Sequence, residues 1–129
     1  MISGSYFTTS CRRRAPVILT FNRETEKLSI EGLGTYHVIT YKSNPISKGI
    51  HDIEMPDAPH RLGSGYLSDS RYSKTWFRVG HSGDRYLHPG TRSAGCITVK
   101  DTKRWTEIYR RLIISRKHDS RSVGVVKVI

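Results

Sequence analysis

A chain of 129 residues with 36% hydrophobic and 9% aromatic content holds enough apolar material for one core, without staples. Its formal charge of +11 fits a polyanionic neighbour (nucleic acid, an anionic membrane face, an anionic cell-wall polymer) or a solvated basic surface without a specific partner. No apolar run approaches the ~20 residues that cross a bilayer, so no membrane span is expected.

The opening, MISGSYFTTSCRRR, lacks the apolar segment of a signal peptide. That leaves synthesis for the cytosol, export by a machine that needs no such signal, or a trimmed start. Two cysteines, Cys11 and Cys96, are too few for a disulfide framework, though a bridge between them stays open. Cys11 sits beside three arginines, in a run read as a solvated tail. Cys96 sits in a Gly-rich stretch.

In chain order, APVILTF and KLSIEGLG read as strands joined by the polar turn NRETE. TYHVITY and GIHDIEM alternate and extend the β pattern. PDAPHRLGSGYLSDSRYS is loop-like from its Pro, Gly, Ser and Asp content. KTWFRVGH is a strand leading into a Gly80–Gly95 loop, and CITVK is a short strand after it. The one helix is expected over 102–117, with Trp105, Ile108, Tyr109, Leu112 and Ile113 on a single apolar stripe. Asp101 is its expected N-cap, and Arg116, Lys117 and His118 its cationic end. SVGVVKVI closes the chain as a strand. The expectation is one mainly β domain, residues 1–129, with one helix.

GHSGDRYLHPGTRSAGCITVKD, from Gly80 to Asp101, carries the chemistry. A nucleophilic cysteine needs a base, a group that orients the base, and donors for an oxyanion. Gly95 lets the backbone turn so that amides near Cys96 can converge on a carbonyl oxygen. His81 or His88 could be the base. His81 follows a strand, where it would be held firmly. His88 precedes Pro89-Gly90, where the chain must turn, and reads as a loop residue shaping the site. Taken alone, a single cysteine is more often a small buried hydrophobe. Zinc binding by His51, His60, His81 and His88 is not expected, because no HxH or HExxH spacing occurs. Tyr66 and Trp76 read as core or cleft-wall aromatics, with Tyr66 a candidate for touching substrate.

GHSG, a Gly-containing loop and SAGCITV together resemble the signature of the L,D-transpeptidase catalytic domain: a histidine, a loop, then Ser/Thr-x-Gly-Cys and an aliphatic residue. His81 precedes Cys96 by fifteen positions. SNPISKGIHDIEM, RLGSGYLSD, the late helix and the closing strand follow a similar order. The resemblance spans roughly residues 35–129, is specific only over 80–97, and fits residues 1–34 loosely. It implies an L,D-transpeptidase-like β-sandwich. It implies Cys96 as nucleophile, His81 as base and a backbone carbonyl at Ser82 or Gly83 as the orienting group. Ser93, Gly95 and Cys96 would shape the oxyanion pocket. Ser93, Tyr66, Thr98 and His88 would face substrate.

The activity so implied is acyl transfer on peptidoglycan stem peptides through a thioester, as L,D-transpeptidase or L,D-carboxypeptidase. No metal or organic cofactor is needed. The chain would act as a monomer in the bacterial periplasm or cell wall. If it is a secreted antibacterial effector, an immunity protein is an expected partner. Two positions depart from the family pattern. Ala94 stands where many members have His, and Thr98 where many have Arg. Thr98, expected at a strand end beside the cleft with room for a longer side chain, tilts the expectation towards hydrolysis.

Two rivals come from other classes. A papain-like peptidase places its cysteine before its histidine, the reverse of the order here. A basic nucleic-acid-binding module without activity would show salt-dependent affinity and no thiol reactivity, but no aromatic–basic interleaving supports it.

Overall fold

The computed structural model describes residues 14–93 and 95–129. Cys11 and Ala94 lie outside the described residues. Eight strands follow in chain order: β1 (Val17–Asn22), β2 (Lys27–Ile30), β3 (Gly34–Ile39), β4 (Gly49–Glu54), β5 (Phe77–Arg78), β6 (Tyr86–Pro89), β7 (Ile97–Val99) and β8 (Ser122–Val128). One α-helix, α1 (Trp105–Ile113), precedes β8, and a 3₁₀ turn spans Arg61–Tyr66.

The strands form one sheet in the order β4-β8-β1-β2-β3-β7-β6-β5. Pairing is antiparallel except for β1 with β8 and β6 with β7. The two edges meet: Ile53 of β4 bridges Val79, just past β5, and the Gly80 amide donates to the Asp52 carbonyl at 2.7 Å. The sandwich expected from the sequence is therefore a single sheet curled almost into a barrel.

Alternation explains the long strands. Val17, Leu19 and Phe21 point into the core from β1, Leu28 and Ile30 from β2, and Tyr36 and Val38 from β3. Each such side chain stabilises the fold by about 1.5–3 kcal/mol when fully buried. β8 lies close to β1 at Gly124, where an added Cβ would stand 2.0 Å from the Val17 carbonyl oxygen. A larger residue there would push the two strands apart.

The helix is shorter than the expected 102–117 and coincides with its apolar stripe, Trp105 to Ile113. Thr102–Arg104 forms a 3₁₀ turn, and the Asp101 side chain makes no cap hydrogen bond. The α-helix stops at Ile113. Beyond it, Arg116 Nη1 donates to the Ile113 carbonyl at 2.8 Å, a guanidinium satisfying an otherwise orphaned helix-end acceptor. Trp105, Ile108 and Leu112 are fully buried against the core.

The helix also holds the segment that leads to the site. Trp105 Nε1 donates to the Tyr72 carbonyl at 2.8 Å. Ser70 and Thr106 share a hydrogen bond of 2.7 Å, and Tyr72 stacks on Tyr109 at 4.0 Å. The chain then enters β5 through Trp76, whose Nε1 donates to the Ser73 carbonyl at 2.9 Å. Strand β6 arises inside what the sequence suggested was a loop. All four of its residues are buried, so it lacks the alternation that marks a half-exposed strand.

Candidate active site

Parallel pairing of β6 with β7 sets Leu87 opposite Ile97 and His88 opposite Thr98. Side chains alternate along a strand, so Tyr86 and His88 share one face of β6 while Cys96 and Thr98 share one face of the neighbouring segment. A cleft of about 630 Å³ opens there, lined among others by Tyr66, Trp76, Tyr86, His88, Ser93 and Cys96. This lies within the range of small-molecule sites.

The thiol is held by backbone on two sides. The Tyr86 amide donates to Cys96 Sγ at 3.4 Å, and the thiol donates to the Asp84 carbonyl at 3.5 Å. Burial pushes its pKa above the ordinary thiol value, against the opposing pull of the Tyr86 N–H and the Arg85 charge. At rest the sulfur is protonated, so attack on a carbonyl requires a base.

His88 is buried, and its ring stacks on Trp76 at 4.2 Å. His60 stacks on the other face of the same indole at 4.4 Å and is held by Asp57 at 2.9 Å. Nδ1 of His88 lies 2.8 Å from the carbonyl of Pro89. A carbonyl only accepts, so Nδ1 carries the proton and Nε2 of the neutral ring is an acceptor. Burial lowers the His88 pKa, which keeps the ring neutral. Nε2 faces Thr98 Oγ1 at 3.1 Å, and the single proton of that hydroxyl is shared between Nε2 and the Arg92 carbonyl at 3.0 Å. A cleft histidine oriented by a neighbouring backbone carbonyl is the arrangement the sequence suggested for His81. It is found at His88 and Pro89.

His81 lies elsewhere. Its Nδ1 is 2.6 Å from Glu54 and its Nε2 2.8 Å from Asp52. Those hydrogen bonds, Glu54 first, raise its pKa. Both carboxylates are held below their usual range: Asp52 by Lys117 at 2.5 Å and by His81, Glu54 by His81 and Arg121 despite burial that works the other way. With both nitrogens engaged, His81 has no lone pair free to take a proton from Cys96. It is an ion-pair residue at the seam between β4 and β5, and it does not line the Cys96 cleft. The structure thus sets His81, expected as the base, apart from the Cys96 cleft.

The remaining candidates divide. Ser93 Oγ donates to the Cys96 carbonyl at 2.8 Å and braces the turn. Tyr66 reaches across the cleft to Thr91, the hydroxyls 3.1 Å apart. Gly95 has φ of +110°, and an added Cβ would come within 2.9 Å of Arg85 Nη1 and 3.0 Å of the Asn44 carbonyl, so the turn before Cys96 requires glycine. Ser82 is exposed in the β5–β6 connection and makes no side-chain hydrogen bond among the described residues. The Gly83 carbonyl accepts from Arg78 at 3.1 Å and not from a histidine. Thr98 is completely buried beneath His88, not at the cleft wall where the sequence placed it.

Asp52, His81 and Asp119 place ligand atoms within 4.8 Å of one another, the one metal-like grouping among the described residues. Lys117 already supplies positive charge to Asp52, and Arg121 to the neighbouring Glu54. Asp119 is turned onto the amides of Arg121 and Ser122 at 2.9 and 2.7 Å. The donor set therefore fits ion pairing better than a cation.

Solved structures share this architecture. Over 96% of the chain, L,D-transpeptidase 1 of Mycobacterium tuberculosis superposes with a TM-score of 0.57 at 18% identity. L,D-transpeptidase 3 of the same organism, carrying a faropenem-derived adduct, gives 0.59 at 11% identity over 95% of the chain. An L,D-transpeptidase of Mycobacterium smegmatis gives 0.55 at 17% over 96%. The chain has the L,D-transpeptidase fold. It spans 64%, 62% and 61% of the lengths of those three proteins. No protein-family model and no curated protein matches its sequence. Among the described residues, no helix is long and apolar enough to cross a membrane.

Proposed function

We propose that this chain is a cysteine-dependent acyl transferase of the L,D-transpeptidase kind acting on peptidoglycan stem peptides, with Cys96 as nucleophile and His88 as base. The observation that carries the reading is the shared cleft: a half-buried thiol and a carbonyl-oriented, neutral histidine on adjacent parallel segments of an L,D-transpeptidase fold.

In the first half-reaction the Cys96 proton passes to His88 Nε2, which leaves Thr98 for the thiol as substrate enters. Catalytic hydrogen bonds commonly tighten only in the complex. The sulfur bonds to the carbonyl carbon, and amides of the Gly95–Cys96 turn receive the oxyanion. The C–N bond to the terminal D-residue breaks, and that nitrogen takes the proton from the imidazolium. The resulting thioester is then attacked by an amine, giving a cross-link or exchange, or by water, giving a shortened stem. These residues need no metal or organic cofactor. The substrate places the activity in the periplasm or cell wall, and the charge of +11 suits an anionic wall. If the chain is a secreted effector against competitors, its producer needs an immunity protein for this cleft.

Incubation with purified tetrapeptide muropeptides, followed by mass spectrometry, tests the reading. Loss of one D-alanine marks hydrolysis and a dimer mass marks cross-linking. Either product, absent with Cys96→Ala, supports it. Unchanged substrate with the folded wild-type chain overturns it.

A further inference from the structure

Arg85 ties three parts of the chain together beside the nucleophile. Its Nη1 donates to the Gly95 carbonyl at 2.8 Å and to the Asn44 carbonyl at 3.0 Å, while Nη2 donates to Asn44 Oδ1 at 2.8 Å. Gly95 and Asn44 belong to segments far apart in sequence. The planar fork of the guanidinium fits such convergent acceptors, and a lysine ammonium does not reproduce it. The Gly95 carbonyl belongs to the same peptide group as the Cys96 N–H. A donor that pins that oxygen fixes the plane of the peptide, and with it the direction of the amide. The positive φ of Gly95 and the tight approach of Arg85 Nη1 and the Asn44 carbonyl leave this peptide little other freedom.

We propose that Arg85 is a positioning residue that locks the Gly95–Cys96 peptide against Asn44, aiming the Cys96 amide at the reacting oxygen and setting the electrostatics of the thiol. This rests on the reading of Cys96 as nucleophile. The family pattern puts an arginine two residues after the cysteine, where Thr98 stands here. Arg85 brings a guanidinium to the same turn from the segment before β6.

The charged groups that act on the sulfur are Asp84 and Arg85, and Tyr86, His88 and Arg92 line the same cleft. Asp84 works against ionisation of the thiol and Arg85 favours it. His88 is neutral. Removing Arg85 therefore raises the pH at which Cys96 ionises, whether or not any substrate is known.

The test compares wild type with Arg85→Met, Arg85→Lys and Asn44→Ala in the full chain, using circular dichroism to confirm folding. The first readout is the pH profile of iodoacetamide alkylation at Cys96, mapped by peptide mass. The second is turnover of tetrapeptide muropeptide. Arg85→Met should move the alkylation profile to higher pH and lower kcat about tenfold to a hundredfold with KM nearly unchanged, as for a weakened oxyanion donor. Arg85→Lys should restore the alkylation profile more fully than kcat, because charge returns but the fork does not. Asn44→Ala should lower kcat without moving the profile. If Arg85→Met does not fold, the Lys and Ala variants carry the test alone. An alkylation profile and kcat unchanged in the folded variants overturn the proposal. If the wild type alkylates as described but turns over no muropeptide, the functional reading fails while the shift between wild type and Arg85→Met still decides the role of Arg85 at the thiol.

Discussion

His88 Nδ1 lies 2.8 Å from the carbonyl oxygen of Pro89, the next residue in the chain. That contact fixes which ring nitrogen bears the proton. Nδ1–H is committed to the backbone, so Nε2, which faces Thr98, is the basic atom of a ring that lines the cleft holding Cys96. Replacing His88 with Ala should lower turnover by about 10²–10⁴-fold, the usual contribution of a general base. His81→Ala should leave most of it at a temperature where the protein is folded. Steady-state rates on muropeptide decide between them, and a larger loss with His81→Ala would return the base to His81.

Protonation of Cys96 in the resting protein has its own signature. Burial disfavours the thiolate, so alkylation of Cys96 should climb with pH and reach half its plateau above the midpoint of a free cysteine peptide. The His88 ring is neutral through that range, and His88→Ala should shift the midpoint little. Alkylation already at its plateau near pH 6 would mean a preformed thiolate–imidazolium pair.

His81 should act on stability through pH. Its folded pKa is raised, so its contribution is complete below the unfolded value, about 6.5, and is lost as pH rises through the folded value. Asp52 and Glu54 have depressed folded values, so theirs is complete above about 4.3 and is lost as pH falls through the folded values. The cluster therefore works best between roughly pH 4.3 and 6.5. The difference in Tm between wild type and His81→Ala should be largest in that window and shrink on both sides. A difference that grows steadily up to pH 9 would contradict this assignment.

Thr98 gives a stability prediction opposite to the one its sequence position suggests. It is fully enclosed and bonded to His88 and the Arg92 carbonyl. Thr98→Arg should overfill this space and bury a charge without a partner, costing about 3 kcal/mol or more. Thr98→Val keeps the volume and loses the hydroxyl, at a cost of about 1 kcal/mol. Urea midpoints measure both, and a Thr98→Arg midpoint equal to wild type would place the side chain outside the core.

The strands with alternating apolar residues, such as VILTF and TYHVI, were legible because each buries one face only. β6 was not. YLHP is buried at every position and includes a histidine and a proline, so neither periodicity nor composition marks it. That concealed the base proposed above, because His88 looked like a turn residue. Its signal was the pair of short segments YLHP and CITV, which become neighbours only through parallel pairing, a long-range fact. The helix was legible by its stripe and not by its ends, since Asp101 forms no cap. Cys96 and the need for Gly95 were readable from SAGC. Arg85 was not, because its partners Asn44 and Gly95 lie far apart in the sequence.

Strand β8 is the last strand of the chain, yet it lies between β4 and β1, which are made much earlier. Until it emerges from the ribosome, β1 and β4 each keep a row of unpaired backbone groups, and the core has a gap where Val123, Val126 and Val128 belong. The curled sheet cannot close in vectorial order, so assembly waits for β8. A chain still lacking β8 is thus unable to present a finished thiol cleft to the cell that makes it.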